Sequence, residues 1–159
     1  MMETPLDVLT GDGFEPVALE FDLGPDGRPI CYDPGMRSPL AASGQRHPDG
    51  LGPFCRFRAP SAPASAGVYV FLVDGAVVYV GISANLRRRL NREYGRISPR
   101  NCFQGGPRTT CRINASLYQK ADAGSRIDLL IKQTPNPQEA EGELIESFRP
   151  AWNLRRSIT

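Results

Sequence analysis

Residues 67 to 81 read Gly67-Val-Tyr-Val-Phe-Leu-Val-Asp-Gly-Ala-Val-Val-Tyr-Val-Gly81, and this stretch decides the fold. Val68 to Val73 and Ala76 to Val80 are rich in β-branched and aromatic residues, and Asp74-Gly75 between them is the pair that most strongly announces a β-hairpin. The segment predicts two antiparallel strands.

The reading extends outward on the C-terminal side. Ser83 is placed to cap a helix over Asn85 to Tyr94, where Leu86, Leu90 and Tyr94 fall at i, i+4 and i+8 and arginines fill the other positions through Arg96. Arg87 and Arg89 flank that apolar stripe, whereas Arg88 and Arg92 point away from it. A Gly- and Pro-rich loop is predicted from Gly95 to Pro107, then a helix over Thr110 to Ala123 and a strand over Arg126 to Lys132. The last helix carries the clearest punctuation: Asn136 as N-cap, Pro137 at the first position, Glu139 in a capping-box place, and Arg149-Pro150 as the stop. On it, Glu141 shares the stripe of Leu144, Ile145 and Phe148, whereas Glu139, Glu143 and Glu146 lie away from it. A carboxylate on a packing face is costly unless it is paired or holds a metal.

The N-terminal side has a different texture. Residues 1 to 66 hold ten Pro and eight Gly, which leaves no room for a long helix. Val17 to Leu23 alternates well enough for one strand, the rest reads as turns, and Ala59 to Ala66 reads as a linker. The expected organisation is an acidic arm over 1–66 and a folded domain over 67–159.

The formal charge of +2 conceals an uneven distribution. Residues 1–50 carry nine acids and three bases, residues 51–119 two acids and ten bases, and residues 120–159 six of each. Seventeen of the 19 bases are Arg, which favours forked contact with phosphate over point-charge contact. One use of the acidic block would be to lie over the basic block and compete with nucleic acid.

The N-terminus shows no basic and apolar leader, and no run approaches the length of a membrane span, so a cytoplasmic chain with no membrane partner is expected. Cys31, Cys55, Cys102 and Cys111 form no CxxC pair and are expected as free thiols. Cys31, His47 and Cys55 are not spaced like a zinc finger, and His47, in a Gln-Arg-His-Pro-Asp-Gly setting, is expected on an exposed loop.

Gly67-Val68-Tyr69, nine residues, then Tyr79-Val80-Gly81, followed by Asn85-Leu86 and an arginine-rich helix, resembles the GIY-YIG nuclease superfamily, with Val for Ile in both triplets. Glu141, Leu144-Ile145, Pro150 and Asn153 resemble the closing block of its excision-repair branch. The resemblance implies an α+β fold, a small, mainly antiparallel three-stranded sheet flanked by helices, with the N-terminal residues as an extension. It also implies an endonuclease that hydrolyses phosphodiester bonds in DNA with one divalent metal ion, Mg²⁺ or Mn²⁺. A nucleic-acid-binding module without cleavage, or a nuclease for RNA, single-stranded or branched substrates, is the alternative, and a homodimer is conceivable for cutting both strands.

The same resemblance assigns roles. Glu141 resembles the metal ligand, Tyr69 the residue that helps deprotonate the attacking water, and Tyr79 and Asn153 the groups that orient phosphate and backbone. The family's arginine lies ten residues after the second tyrosine, which selects Arg89. Arg87, Arg88, Arg92, Arg108 and Arg112 are then expected to bind substrate phosphates, with the stretch Gly95 to Gly124 facing substrate or serving as a structural insertion. Ile82 and Glu93 depart from the residues usual at their places, and Glu93 is spaced to pair with Arg89.

Both phenols must share a face if they share a site. A plain two-residue Asp74-Gly75 turn would put Tyr69 opposite Val80 and separate the rings. The expected device is therefore a three-residue loop, Val73-Asp74-Gly75, that brings Tyr69 across from Tyr79.

Overall fold

The computed structural model describes residues 3–42 and 44–154. The chain is α+β and divides into two compact units: one takes in residues up to Ala18, Ser61–Leu86 and Arg126 onward, the other Leu19–Pro60 and Arg87–Ser125. These cuts fall at other places than residue 66.

The first unit is built on an antiparallel sheet. The three expected strands are β4 (Gly67–Val73), β5 (Ala76–Ser83) and β6 (Ile127–Gln133), and the N-terminal residues add β1 (Glu15–Val17), giving the order β1-β6-β4-β5. Every residue of β4 is buried, because this central strand is covered on both faces and therefore reads as a continuous apolar run. On one face Val68, Val70, Leu72, Val80 and Leu130 pack with Leu9 and Phe14 from the N-terminus and with Leu144 of α4 (Pro137–Phe148). Lys132 donates to the Asp12 carbonyl at 2.7 Å and lies 5.8 Å from the centre of the Phe14 ring, tying the N-terminal segment to β6.

A short helix, α1 (Pro5–Gly11), sits where only turns were expected. Its signal is local: Thr4 Oγ1 accepts from Asp7 N, Asp7 Oδ2 accepts from Thr4 N, and Pro5 opens the first turn. The strand expected over Val17 to Leu23 is instead two, β1 in the first unit and β2 (Glu20–Phe21) in the second, so the chain changes units inside the predicted element. The expected α4 capping box does not form. Asn136 is the N-cap by position but its side chain makes no cap bond, and the helix ends on Arg149 in the left-handed conformation before Pro150.

The second unit pairs β2 with β3 (Phe57–Arg58) and packs α3 (Arg108–Asp122) over several short 3₁₀ turns. Phe54, Ile97, Cys102, Phe103 and Cys111 form its apolar cluster, so the stretch Gly95 to Gly124 supplies core as well as surface. Asn114, fully buried, binds both backbone groups of Cys55 at 2.9 Å and the Tyr94 carbonyl at 2.6 Å. Bridges Arg28–Asp122, Arg46–Asp33 and Arg108–Asp49, at 2.8 to 3.0 Å, fasten its surface.

Two further expectations are corrected. His47 is 2% exposed, with Nε2 2.6 Å from the Asn101 carbonyl and its backbone N–H on Cys102. Ala59 and Ala62, in the segment read as a linker, are fully buried.

Candidate active site

The hairpin does bring the two motif tyrosines to one face, but not by the expected loop. Asp74 and Gly75 form a two-residue turn with φ of 49° and 85°, and Val73 pairs with Ala76. Asp74 is held in this left-handed state by Arg126, whose N–H donates to the Asp74 carboxylate and whose carbonyl accepts the Asp74 N–H, both at 2.8 Å. The register then shifts at a bulge: Leu72 pairs with Val77, Phe71 with Tyr79, and Tyr69 with Gly81, leaving Val78 without an opposite residue. A bulge converts odd spacing into even, so Tyr79 joins Tyr69 and Phe71 on the same side. The Tyr69 and Tyr79 rings are 6.2 Å apart and tilted at 41°.

The glycines of both triplets are packing requirements. Opposite Tyr69, a Cβ on Gly81 would land on the phenol itself, on its ring carbon and hydroxyl oxygen. A Cβ on Gly67 would meet the Lys132 carbonyl and the Leu86 side chain. Tyr69 is thereby seated over bare backbone and is 1% exposed; Tyr79 is 9% exposed. The triplets' Val68 and Val80 point to the other face, into the core beneath α4.

Alpha-helix α4 packs on β5 and β4, presenting Leu144, Ile145 and Phe148. Glu141 is half-buried, whereas Glu139, Glu143 and Glu146 are exposed. Asn153, expected to orient phosphate and backbone, commits its amide to backbone: Oδ1 accepts from Val80 N at 2.9 Å and Nδ2 donates to Val80 O at 2.8 Å. Trp152, which the sequence did not single out, donates its backbone N–H to the carbonyl of the bulged Val78 at 2.9 Å. The segment after α4 thus runs along the free edge of β5 and holds the strand that carries Tyr79.

The arginines belong to the second unit. Helix α2 (Leu86–Arg88) continues as a π-helix over Arg89–Tyr94, closed by Gly95 N–H on Leu90 O, where an α-helix was expected. Leu86, Leu90 and Tyr94 are buried as the stripe required. Arg89, the first residue of the π turn, is half-buried, while Arg87, Arg88 and Arg92 are exposed, so burial separates Arg89 from Arg87 where spacing did not. Glu93 lies 3.7 Å from Arg89 Nε, an ion pair too long for a hydrogen bond. Arg108 is engaged by Asp49 and Arg112 is half-buried on α3.

No protein-family model matches the chain, and no curated protein matches it. Among solved structures, a point mutant of bacteriophage T4 EndoII matches 96% of this chain and 100% of its own, with a TM-score of 0.57 and 15% identity. The chain shares the fold of that EndoII structure. The GIY-YIG N-terminal endonuclease domain of UvrC from Thermotoga maritima, bound to magnesium as its catalytic divalent cation, is 28% identical over 59% of this chain and 89% of that chain, with a TM-score of 0.41. In this chain Gly67–Tyr69 open β4 and Tyr79–Gly81 lie within β5, paired with Phe71 to Tyr69.

Proposed function

We propose that the protein is a divalent-metal-dependent endonuclease that hydrolyses phosphodiester bonds in DNA with a single metal ion. The observation that carries this reading is the pairing of Tyr69 and Tyr79 on one sheet face by the Val78 bulge, against the register that the turn alone would impose. The resemblance gives the site a single carboxylate. Glu141 is that carboxylate: a single hard oxygen ligand fits Mg²⁺ or Mn²⁺, which keep most of their waters, and does not fit structural zinc. When bound, the cation supplies Lewis-acid stabilisation of charge on the phosphoryl and leaving oxygens.

The chain's own groups then have distinct tasks. Tyr69 Oη takes the proton of the attacking water. An ordinary phenol has a pKa of ~10, so positive charge beside Tyr69 is needed to make it a base. Arg89 offers a fixed fork to the charge that grows on the phosphate. Tyr79 orients the phosphate, and Asn153 acts as a positioning residue through Val80. Arg87, Arg88, Arg92, Arg108 and Arg112 hold flanking phosphates, Arg108 by exchanging Asp49 for substrate.

A second reading, a nucleic-acid-binding module without cleavage, is favoured by the Glu93 carboxylate beside Arg89. Nicking of supercoiled plasmid in Mg²⁺ separates the two. The nuclease reading expects nicking by the wild type, its abolition in Glu141→Ala, and retained DNA binding. It also expects Glu93→Gln to nick about two- to fivefold faster, the size of one partly exposed ion pair. Binding with no nicking in any of these proteins would establish the second reading, and side-by-side digestion of duplex, single-stranded and branched DNA and of RNA fixes the substrate.

A further inference from the structure

The second unit contains a cleft of about 700 Å³, and every residue lining it belongs to that unit. One wall is the extended segment Arg56-Phe57-Arg58. Alternation sends Phe57 inward, where it is 1% exposed, and turns Arg56 and Arg58 to the opposite side. The other wall is the end of the π-helix and the turn after it, which contributes the exposed Arg92 and Arg96, four residues apart.

These walls are fixed to each other. Phe57 N–H donates to Gly95 O at 3.0 Å, and a Cβ at residue 95 would strike the Phe57 carbonyl, so only glycine permits this approach. Asn91 accepts from Ala59 N at 2.8 Å and donates to Ala59 O at 3.1 Å and Arg87 O at 2.9 Å.

The cleft holds four arginines against one carboxylate, Asp22, which already accepts the Tyr32 hydroxyl at 3.1 Å. Arg92 and Arg96 make no ion pair among the described residues, and Arg58 has only an exposed partner, Glu20, at 3.8 Å. The Arg56 guanidinium stacks on the Tyr32 ring, 4.0 Å from its centre, which leaves the fork's edge available. Concave surplus charge concentrates anions, and two facing pairs of planar forks match the oxygens of successive phosphates better than an isolated carboxylate.

We propose that this cleft grips the sugar–phosphate backbone of DNA, as a binding site supplied entirely by the second unit and including Arg56, Arg58 and Arg96. The proposal rests on DNA being the nucleic acid that the protein binds under the proposed function. It is tested on the full chain by binding of a short fluorescein-labelled DNA duplex in EDTA across a salt series, so that no cleavage enters the measurement. The double variant Arg58→Ala/Arg96→Ala removes one fork from each wall. It is expected to bind at least about tenfold more weakly and to lower the slope of log K against log salt by about 1.8, two phosphates' worth. The control Arg28→Ala/Arg126→Ala removes equal charge outside the cleft and is expected to keep the wild-type slope. A wild-type slope in the cleft variant, an equal loss in the control, or wild-type preference for RNA of the same sequence overturns the proposal. Normal plasmid nicking with an unchanged slope removes the cleft alone, whereas a reduced slope with no nicking by the wild type removes the nuclease reading and leaves the cleft.

Discussion

Gly75 and Gly81 lie six positions apart and respond to the same substitution for different reasons. Gly75 has φ of 85° with open space around it, so Gly75→Ala costs only backbone strain, about 1 kcal/mol. At Gly81 the new methyl must displace a buried phenol, and Gly81→Ala is expected to cost about 2–3 kcal/mol in urea denaturation, with loss of nicking. Asp74-Gly75 announces its conformation in the sequence, whereas the crowding at Gly81 exists only once Tyr69 lies across from it. His47 is misread for the same reason: its neighbours are turn residues, and the carbonyl that buries it comes from Asn101, 54 positions on. The cysteines give a second residue-level test. Burial pushes the Cys55 thiol up to about 12, and Cys111 is raised by its hydrogen bond to Cys102, which is in turn lowered by that bond. Cys31 is exposed and the other three are buried. A native thiol titration near neutral pH is expected to find one fast-reacting cysteine and four after unfolding; three or four fast thiols in the native chain would contradict this burial.

At the level of elements, the sequence marks what is periodic or capped and hides what depends on a partner strand. The β4–β5 hairpin, β6 and α4 are legible because alternation, Asp-Gly and the Asn136-Pro137 start are local signals. Nothing in Val77-Val78 marks a bulge. The need for one follows from the resemblance, which puts both tyrosines on one face, and a longer turn would have met that need equally well. The bulge predicts unequal effects of two single-residue deletions. Removing Val78 leaves Phe71 opposite Tyr79 and Tyr69 opposite Gly81 in a regular ladder, so the chain stays folded and the ring-to-ring contact persists in NMR. Removing Val80 places Ile82 opposite Tyr69, and that chain is expected not to fold. Asn153→Ala loses both bonds to Val80 and is expected to cost about 2 kcal/mol, while Asn153→Asp keeps an acceptor for the Val80 N–H but turns a second acceptor toward the Val80 carbonyl and is expected to cost at least as much. Nicking should fall in step with those losses.

For the molecule as a whole, the acidic N-terminal residues are woven into both units. Leu9 and Phe14 are buried in the first unit's core and β1 covers the edge of β6, while Asp33 and Asp49 hold Arg46 and Arg108 in the second. Deleting residues 1–60 would therefore test folding before it tested competition for nucleic acid. Deletion of residues 1–18 is expected to expose a sheet edge and apolar core and to give aggregates by size-exclusion chromatography, where an independent arm would leave a monodisperse domain. The net charge of +2 says little by itself, because several acids of the N-terminal block are used inside the fold as partners for arginine. The interleaving also constrains synthesis. Glu15 pairs with Ile131, so the first strand made must wait for more than a hundred further residues before it finds its neighbour. Neither unit is a continuous segment that a ribosome could release to fold alone, and contacts this distant in sequence impose a high contact order. Folding of the first unit is expected to wait until β6 has been made, and to be slow for the number of residues involved.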